Sequence, residues 1–234
     1  MASDGRLKIG LLRMTELSEP ARSVHGGYLD VFRLFFRDHD VEIVDVAVHD
    51  GDTPASIDDC DGWVISGSPD SVYDGNGWIA TGEDIVRAAV AAERPLVGVC
   101  FGHQLIAQAL GGRVEPAEVG WGVGAHRYET VRPLGTVNGT TTVLAAHQDQ
   151  VVVPPPDAEI WSRSEFCPYA GFLIGERTLT IQGHPEFTPP LVDALYRSRR
   201  DLIGHDTVER ALTTLSEPLS SGEIADAMVG IIRG

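Results

Sequence analysis

The first half of the chain alternates short apolar runs with stretches whose apolar residues recur at helical spacing. The apolar runs, which predict buried strands, are 7–12, 41–46, 62–66 and 95–99, and the helical patterns are 28–36, 83–92 and 103–112. Strands that alternate with helices form parallel sheets with helices packed on both faces. The order of the patterns therefore predicts an α/β protein with a doubly wound, mostly parallel sheet.

The second half of the chain has a different pattern, in which short strand signals alternate with turns. The predicted strands are 123–131, 140–145, 159–163 and 170–174, and they are expected to add antiparallel strands to the same domain. Three helices are then predicted at 191–202, 207–215 and 221–232, the last with a serine cap in the Ser220-Ser221 pair. We expect one domain over residues 1–204 and a C-terminal helical extension, residues 205–234, packed on it.

Charge and cysteine content limit the function classes. The 234 residues carry 18 basic and 34 acidic side chains, a net charge of −16, which disfavours nucleic acid or a membrane surface as a partner. The three cysteines are too few and too widely spaced for a disulfide framework or a zinc ribbon, which favours a reducing, cytoplasmic location. The N-terminal residues predict no signal peptide, and no apolar run is long enough to span a bilayer.

The segment around Cys100 is the most informative for chemistry. An apolar strand ends at Val99, a helix begins within three residues, and the turn between them is Gly98-x-Cys100-x-Gly102. This is the strand–turn–helix arrangement that presents a nucleophile at the carboxyl edge of a sheet, with small residues where backbones cross. The helix N-terminus favours the reactive thiolate. A buried core cysteine is the alternative, which the G-x-C-x-G spacing alone does not remove.

Two further segments supply groups that such a nucleophile needs. A short strand delivers His184, and Glu186 lies two residues on, on the same side of an extended segment. A cysteine catalyst requires a base, and the base requires a group that fixes its tautomer, so His184 and Glu186 fit these two roles. The turn that contains Ser68 follows another strand and could aim backbone N–H groups at a reacting carbonyl, although an ordinary β-turn is the simpler interpretation.

These three segments, ISGSPDS, GVCFGHQLIAQALGG and QGHPEF, resemble in this order the class I (triad-type) glutamine amidotransferase family. The resemblance covers roughly residues 8–200 and implies a flavodoxin-like fold. Within the family, the chain is most similar to the stand-alone GMP-synthase-like amidotransferases and the γ-glutamyl peptidases. The resemblance implies hydrolysis by Cys100, His184 and Glu186 of a γ-glutamyl amide, with no metal and no organic cofactor.

The resemblance also implies a set of substrate-binding residues. Ser68 and Phe101 match the backbone N–H positions of the oxyanion hole, and Gln104 matches a side chain that contacts bound glutamine. Ala146 and His147 begin a segment whose backbone helps to hold the amino acid end of glutamine. The family usually has glycine where this chain has Ser68, so the oxyanion geometry depends on a backbone conformation that suits a side chain.

Several alternatives remain at this stage. The chain could be a glutaminase that passes ammonia to a separate synthase partner, or a γ-glutamyl hydrolase that acts alone on a small-molecule substrate. A non-catalytic binding or regulatory module on the same fold is a third hypothesis, which the complete set of Cys100, His184 and Glu186 opposes. A metal site built on Cys100 and His103 lacks the other ligands. His103 is expected to be structural, and Cys60 and Cys167 inert.

Overall fold

The computed structural model describes residues 5–234. Residues 1–4, where the predicted domain begins and where part of the signal-peptide prediction falls, lie outside the described residues. Within the described range, no helix is long and apolar enough to cross a membrane.

Across residues 5–234, nine strands form one sheet and two more strands pair beside it. The strands are β1 (Leu7–Arg13), β2 (Val41–Ala47), β3 (Gly62–Ile65), β4 (Leu96–Val99), β5 (Arg113–Pro116), β6 (Gly122–Leu134), β7 (Val137–His147), β8 (Asp149–Val153), β9 (Ala158–Arg163), β10 (Gly171–Ile174) and β11 (Thr178–Ile181). The helices are α1 (Glu19–His25), α2 (Tyr28–Phe35), α3 (Gly77–Ala91), α4 (Phe101–Ala109), α5 (Pro189–Ser198), α6 (Arg200–Ile203), α7 (His205–Thr213) and α8 (Ser221–Arg233).

The order of the large sheet is β2-β1-β3-β4-β11-β10-β9-β6-β7. Strands β2, β1, β3, β4 and β11 run parallel to one another. From β11 onwards each neighbouring pair is antiparallel. This arrangement, with helices at the C-terminus, confirms the predicted fold class.

The central strands are apolar along their whole length because helices cover both faces of the sheet. On one face, side chains such as Val64 and Val97 join a core with residues of α2 and α8. On the other face, Trp63 and Leu96 join a core with residues of α3 and α4. The C-terminal helix α8 therefore packs directly on the parallel strands, while the domain boundary at residues 204 and 205 stays a prediction.

The predicted elements differ from the observed ones in a few places. The helix expected from residue 83 begins at Gly77, since Ile79 and Gly82 continue its buried face despite the weak helix propensity of the first turn. The short strands β5 and β8 and helix α1 had no clear signal in the sequence. Ser220 does precede α8, but its hydroxyl accepts a hydrogen bond from the Thr142 N–H at 3.2 Å and makes no cap hydrogen bond to the helix.

Candidate active site

Three adjacent parallel strands end at the same edge of the sheet. In the register of the sheet, Ile65 of β3 lies beside Gly98 of β4, and Val99 of β4 lies beside Ile181 of β11. The residues that directly follow these strands are therefore brought together. The structure thus places the loop with Ser68, the turn with Cys100 and the segment with His184 at one edge.

Cys100 occupies a strained turn between β4 and α4. Its backbone has φ 52° and ψ −102°, a conformation that side-chain-bearing residues rarely adopt, and its N–H donates to the Ile181 carbonyl at 2.9 Å. A Cβ at Gly98 would lie 2.6 Å from the Gly102 carbonyl oxygen, and one at Gly102 would lie 2.5 Å from the Ile65 carbonyl oxygen. Both glycines of the motif are therefore required by close backbone contacts.

His184 and Glu186 form a buried hydrogen-bonded pair. The His184 Nδ1 lies 2.8 Å from the Glu186 Oε1, and both residues are 3% exposed. The His184 ring stacks on Phe187 with a centroid separation of 3.9 Å, and its backbone N–H donates to the Leu144 carbonyl at 2.7 Å. These contacts hold the ring in one orientation and leave its other nitrogen for Cys100.

The charge state of His184 is set by two opposing effects. Burial favours the neutral ring, but the charges of Cys100 and Glu186 and hydrogen bonds to both outweigh it and raise the pKa of His184 to about 10. A protonated His184 between two acidic side chains is the electrostatic arrangement that favours a Cys100 thiolate. The site is therefore suited to nucleophilic attack followed by proton donation.

The turn after β3 lies against both Cys100 and His184. A Cβ at Gly67 would lie 2.7 Å from the His184 Cε1, 2.8 Å from the Tyr28 hydroxyl oxygen and 3.7 Å from the Cys100 Cβ. Ser68 does not have a positive φ, and its hydroxyl donates to the Asp70 carboxylate at 3.0 Å. The position that excludes a side chain is therefore Gly67, and the serine at position 68 fits its backbone.

Glutamine side chains link the nucleophile to the neighbouring loop. The Gln104 amide donates to the Asp149 carbonyl at 2.9 Å and to the Gln182 Oε1 at 3.2 Å. The Gln182 amide in turn lies 3.7 Å from the Cys100 Sγ and donates towards it. Gln104 is thus beside the nucleophile but engaged in holding the site together.

A pocket of about 200 Å³ opens beside Cys100. Its lining includes the predicted residues Ser68, Gln104, Ala146 and His147. A second, smaller cleft of about 30 Å³ lies on the His184 side. Phe101 is buried and lines neither pocket with its side chain, but as the first residue of α4 its N–H has no acceptor within the helix.

His147 is a neutral group in the pocket wall. Burial, together with neighbouring His126, lowers the pKa of His147 to about 3, against a hydrogen bond from Nδ1 to the Asp149 carbonyl at 3.1 Å. The ring therefore adds a polar surface to the pocket at neutral pH and no charge.

The other cysteines and His103 lie away from this chemistry. Burial raises the pKa of the Cys60 thiol to about 11 and that of the Cys167 thiol to about 12. His103 is fully buried, packs on Phe172 and bonds the Thr180 hydroxyl at 2.9 Å. Among the residues with described positions, no three His, Cys, Asp or Glu side chains are grouped to hold a metal ion.

Sequence reasoning gave no role to four residues that the structure places around the site. Gly67 and Gln182 lie inside the motifs that identify the family, so their presence was visible and their contacts were not. Tyr28 and Arg199 come from α2 and from the junction of α5 with α6, and they reach the site only through the tertiary fold. No local pattern distinguishes them from other surface or core residues.

Comparison with known proteins places the chain among amidotransferases. The family profile described as "Glutamine amidotransferase class-I" matches residues 33–197. The chain is 29% identical to "Gamma-glutamyl peptidase 3" of Arabidopsis thaliana over 186 residues, which are 75% of each chain. It is 34% identical over 168 residues to the glutamine-hydrolysing GMP synthase subunit of Halobacterium salinarum, covering 69% of this chain and 85% of that protein.

Solved structures agree with this placement at the level of the fold. A crystal structure of a glutamine amidotransferase from Thermotoga maritima superposes with a TM-score of 0.77 at 16% identity, covering 97% of this chain and 96% of the other. A glutamine amidotransferase from Methylobacillus flagellatus gives a TM-score of 0.68 at 23% identity, covering 99% and 91%.

Proposed function

Because the chain belongs to the class I glutamine amidotransferase family, we propose that it is a Cys-His-Glu amidase for the γ-glutamyl amide of glutamine or a γ-glutamyl conjugate. Cys100 is the nucleophile, His184 the acid and base, and Glu186 the group that orients His184. The observation that carries the proposal is the 2.8 Å bond between His184 and Glu186 beside the strained Cys100 turn.

The first half of the reaction breaks the amide. The Cys100 thiolate attacks the δ-carbonyl carbon and forms a C–S bond, while the backbone N–H groups of Ser68 and Phe101 stabilise the oxyanion. Protonated His184 then donates its proton to the nitrogen, and the C–N bond breaks to release ammonia or an amine. The glutamyl group stays on Cys100 as a thioester.

The second half of the reaction restores the enzyme. Neutral His184 takes a proton from water, and the hydroxide attacks the thioester carbon. Collapse of the second tetrahedral intermediate breaks the C–S bond and releases glutamate. Gln104, Ala146 and His147 line the pocket beside Cys100, and we assign them to the amino acid end of the substrate.

The relatives suggest two settings for this chemistry. The likeness to the glutamine-hydrolysing part of a GMP synthase motivates a synthase partner that receives the ammonia. The likeness to γ-glutamyl peptidases motivates an enzyme that acts alone in the cytoplasm on small γ-glutamyl compounds. Partner-independent turnover of conjugates distinguishes the second setting from the first.

The test is a substrate panel of glutamine and several γ-glutamyl conjugates, with glutamate release as the readout. Wild type should release glutamate from at least one of them, Cys100→Ser should be inactive, and the matched Cys60→Ser variant should keep wild-type turnover. Equal turnover by Cys100→Ser and wild type would refute the assignment of the nucleophile.

A further inference from the structure

The small cleft on the His184 side has a distinct wall. Its lining combines residues of the β1–α1 loop, the Ser68 turn and the end of α5, namely Thr15, Glu16, Leu17, Ser18, Tyr28, Ser68, Pro69, Ala146, His184, Phe187, Leu195 and Arg199. Arg199 also lines the larger pocket that contains Cys100. This side chain therefore lies where the two spaces meet.

Arg199 differs from its neighbours on the same helices in having no ion-paired partner. Arg197 pairs with Asp193 and Arg200 pairs with Glu209. The half-buried Arg199 forms no side-chain hydrogen bond or ion pair with the part of the chain that the structure describes. Glu16, the acidic residue in the same cleft, is already paired with Arg13. A guanidinium charge is thus available at the mouth of the site.

The proposed chemistry decides which part of a substrate meets this charge. His184 protonates the departing nitrogen, so the departing amine must lie on the His184 side of Cys100. The glutamyl end then occupies the larger pocket beside Gln104 and His147. A substituent on the departing nitrogen extends from His184 towards the small cleft and Arg199.

We propose that Arg199 binds a carboxylate carried by the departing amine, so that the enzyme prefers γ-glutamyl amino acids and peptides to glutamine. A planar guanidinium forms paired hydrogen bonds with a carboxylate, and partial burial strengthens the attraction. Glutamine releases ammonia and has no group to place there. The inference rests on the proposed function, since it names the substrate class of the same site.

The experiment compares γ-glutamylglycine with γ-glutamylglycinamide, which differ only in the carboxylate, and follows glutamate release from each. Wild type should show a higher kcat/KM on the acid. Arg199→Met should lower kcat/KM on γ-glutamylglycine by roughly ten- to a hundredfold and on the amide by less than about threefold. Arg199→Lys should recover part of the difference, and the control Arg197→Met should behave as wild type.

Two outcomes would overturn the inference, and a third would overturn more. A wild type that does not distinguish acid from amide sinks it without any variant. Equal losses on acid, amide and glutamine in Arg199→Met would mean that Arg199 binds the glutamyl end instead. If wild type hydrolyses glutamine and the amide but shows no carboxylate preference, only this inference fails. If it hydrolyses no γ-glutamyl compound, the proposed function fails with it.

Discussion

The parallel and antiparallel halves of the sheet contribute to the site in different ways. In the parallel half, Cys100 and His184 come from loops that directly follow strands, and the strand register fixes where they start. In the antiparallel half, Ala146 and His147 lie at the end of β7 and form a wall of the pocket. The halves meet where the His184 N–H donates to the Leu144 carbonyl of β7.

This difference separates chemistry from binding. Groups that must react need a fixed geometry, which adjacent parallel strands provide at one edge of the sheet. A wall that holds the unreactive end of a substrate can vary without disabling the nucleophile. Substitutions in the two halves should therefore change different kinetic constants.

The largest effect should come from a matched pair of histidines. His184→Asn removes the acid and base and should lower kcat by about a thousandfold or more. His147→Asn changes a neutral wall residue and should change kcat/KM by less than about tenfold, mainly through KM. Steady-state kinetics on a γ-glutamyl substrate measures both. Similar losses of kcat in the two variants would remove the distinction between the halves.

The next effect concerns the group that orients His184. Glu186→Gln keeps the size of the side chain but removes the charge at the His184 Nδ1, and it should lower kcat by roughly a hundred- to a ten-thousandfold. The control is Glu165→Gln, an exposed acid in the antiparallel half. Its kcat should match wild type. Wild-type kcat in Glu186→Gln would show that His184 needs no carboxylate partner.

A pair of glycines gives a smaller but sharper comparison. A methyl group at Gly67 would lie 2.7 Å from the His184 Cε1, so Gly67→Ala should shift the ring and lower kcat by roughly a hundredfold. A methyl group at Gly122 would lie 2.9 Å from the His147 Nε2, so Gly122→Ala should raise KM by roughly three- to tenfold with little change in kcat.

The control for both glycine variants is Gly77→Ala, where the added methyl group has open space. Thermal unfolding should show that all three variants fold, so that kinetic differences report the site. If Gly67→Ala raises KM and leaves kcat intact, the Gly67 turn is part of the binding wall and the comparison must be redrawn.

The smallest effect should be a pH dependence of stability. The pKa of His184 is raised to about 10 in the folded protein, against an ordinary value of 6.5. The stabilising contribution of His184 is therefore fully present below about pH 6.5 and is lost as the pH rises towards 10. Because Glu186 is one source of the raised pKa, wild type should exceed Glu186→Gln in unfolding free energy most at pH 6, with the gap narrowing by pH 10.

Urea unfolding of both variants between pH 6 and pH 10 measures this gap. Titration of other groups affects both proteins alike and cancels in the difference. A gap that is constant over the range would mean that the charge on Glu186 does not raise the pKa of His184.

Much of the fold was predictable because its signals are local. The buried strands β1, β3 and β4 are continuous apolar runs, and the elbow at Cys100 is marked by two glycines that backbone contacts require. The short strands β5 and β8 escaped prediction because they form a small separate sheet whose pairing joins segments far apart in the chain. Local propensity carries no information about such a partner.

The amino-acid sequence by itself determined the class of fold, the family, and the three residues proposed for the chemistry, because each depends on a short motif whose spacing has a physical reason. Only the tertiary structure decided what surrounds them. Gly67 excludes a side chain because His184 and Tyr28 converge above it. Arg199 reaches the site because α5 and α6 meet there without an acidic partner for its charge. Long-range packing places these residues, and no local pattern encodes it.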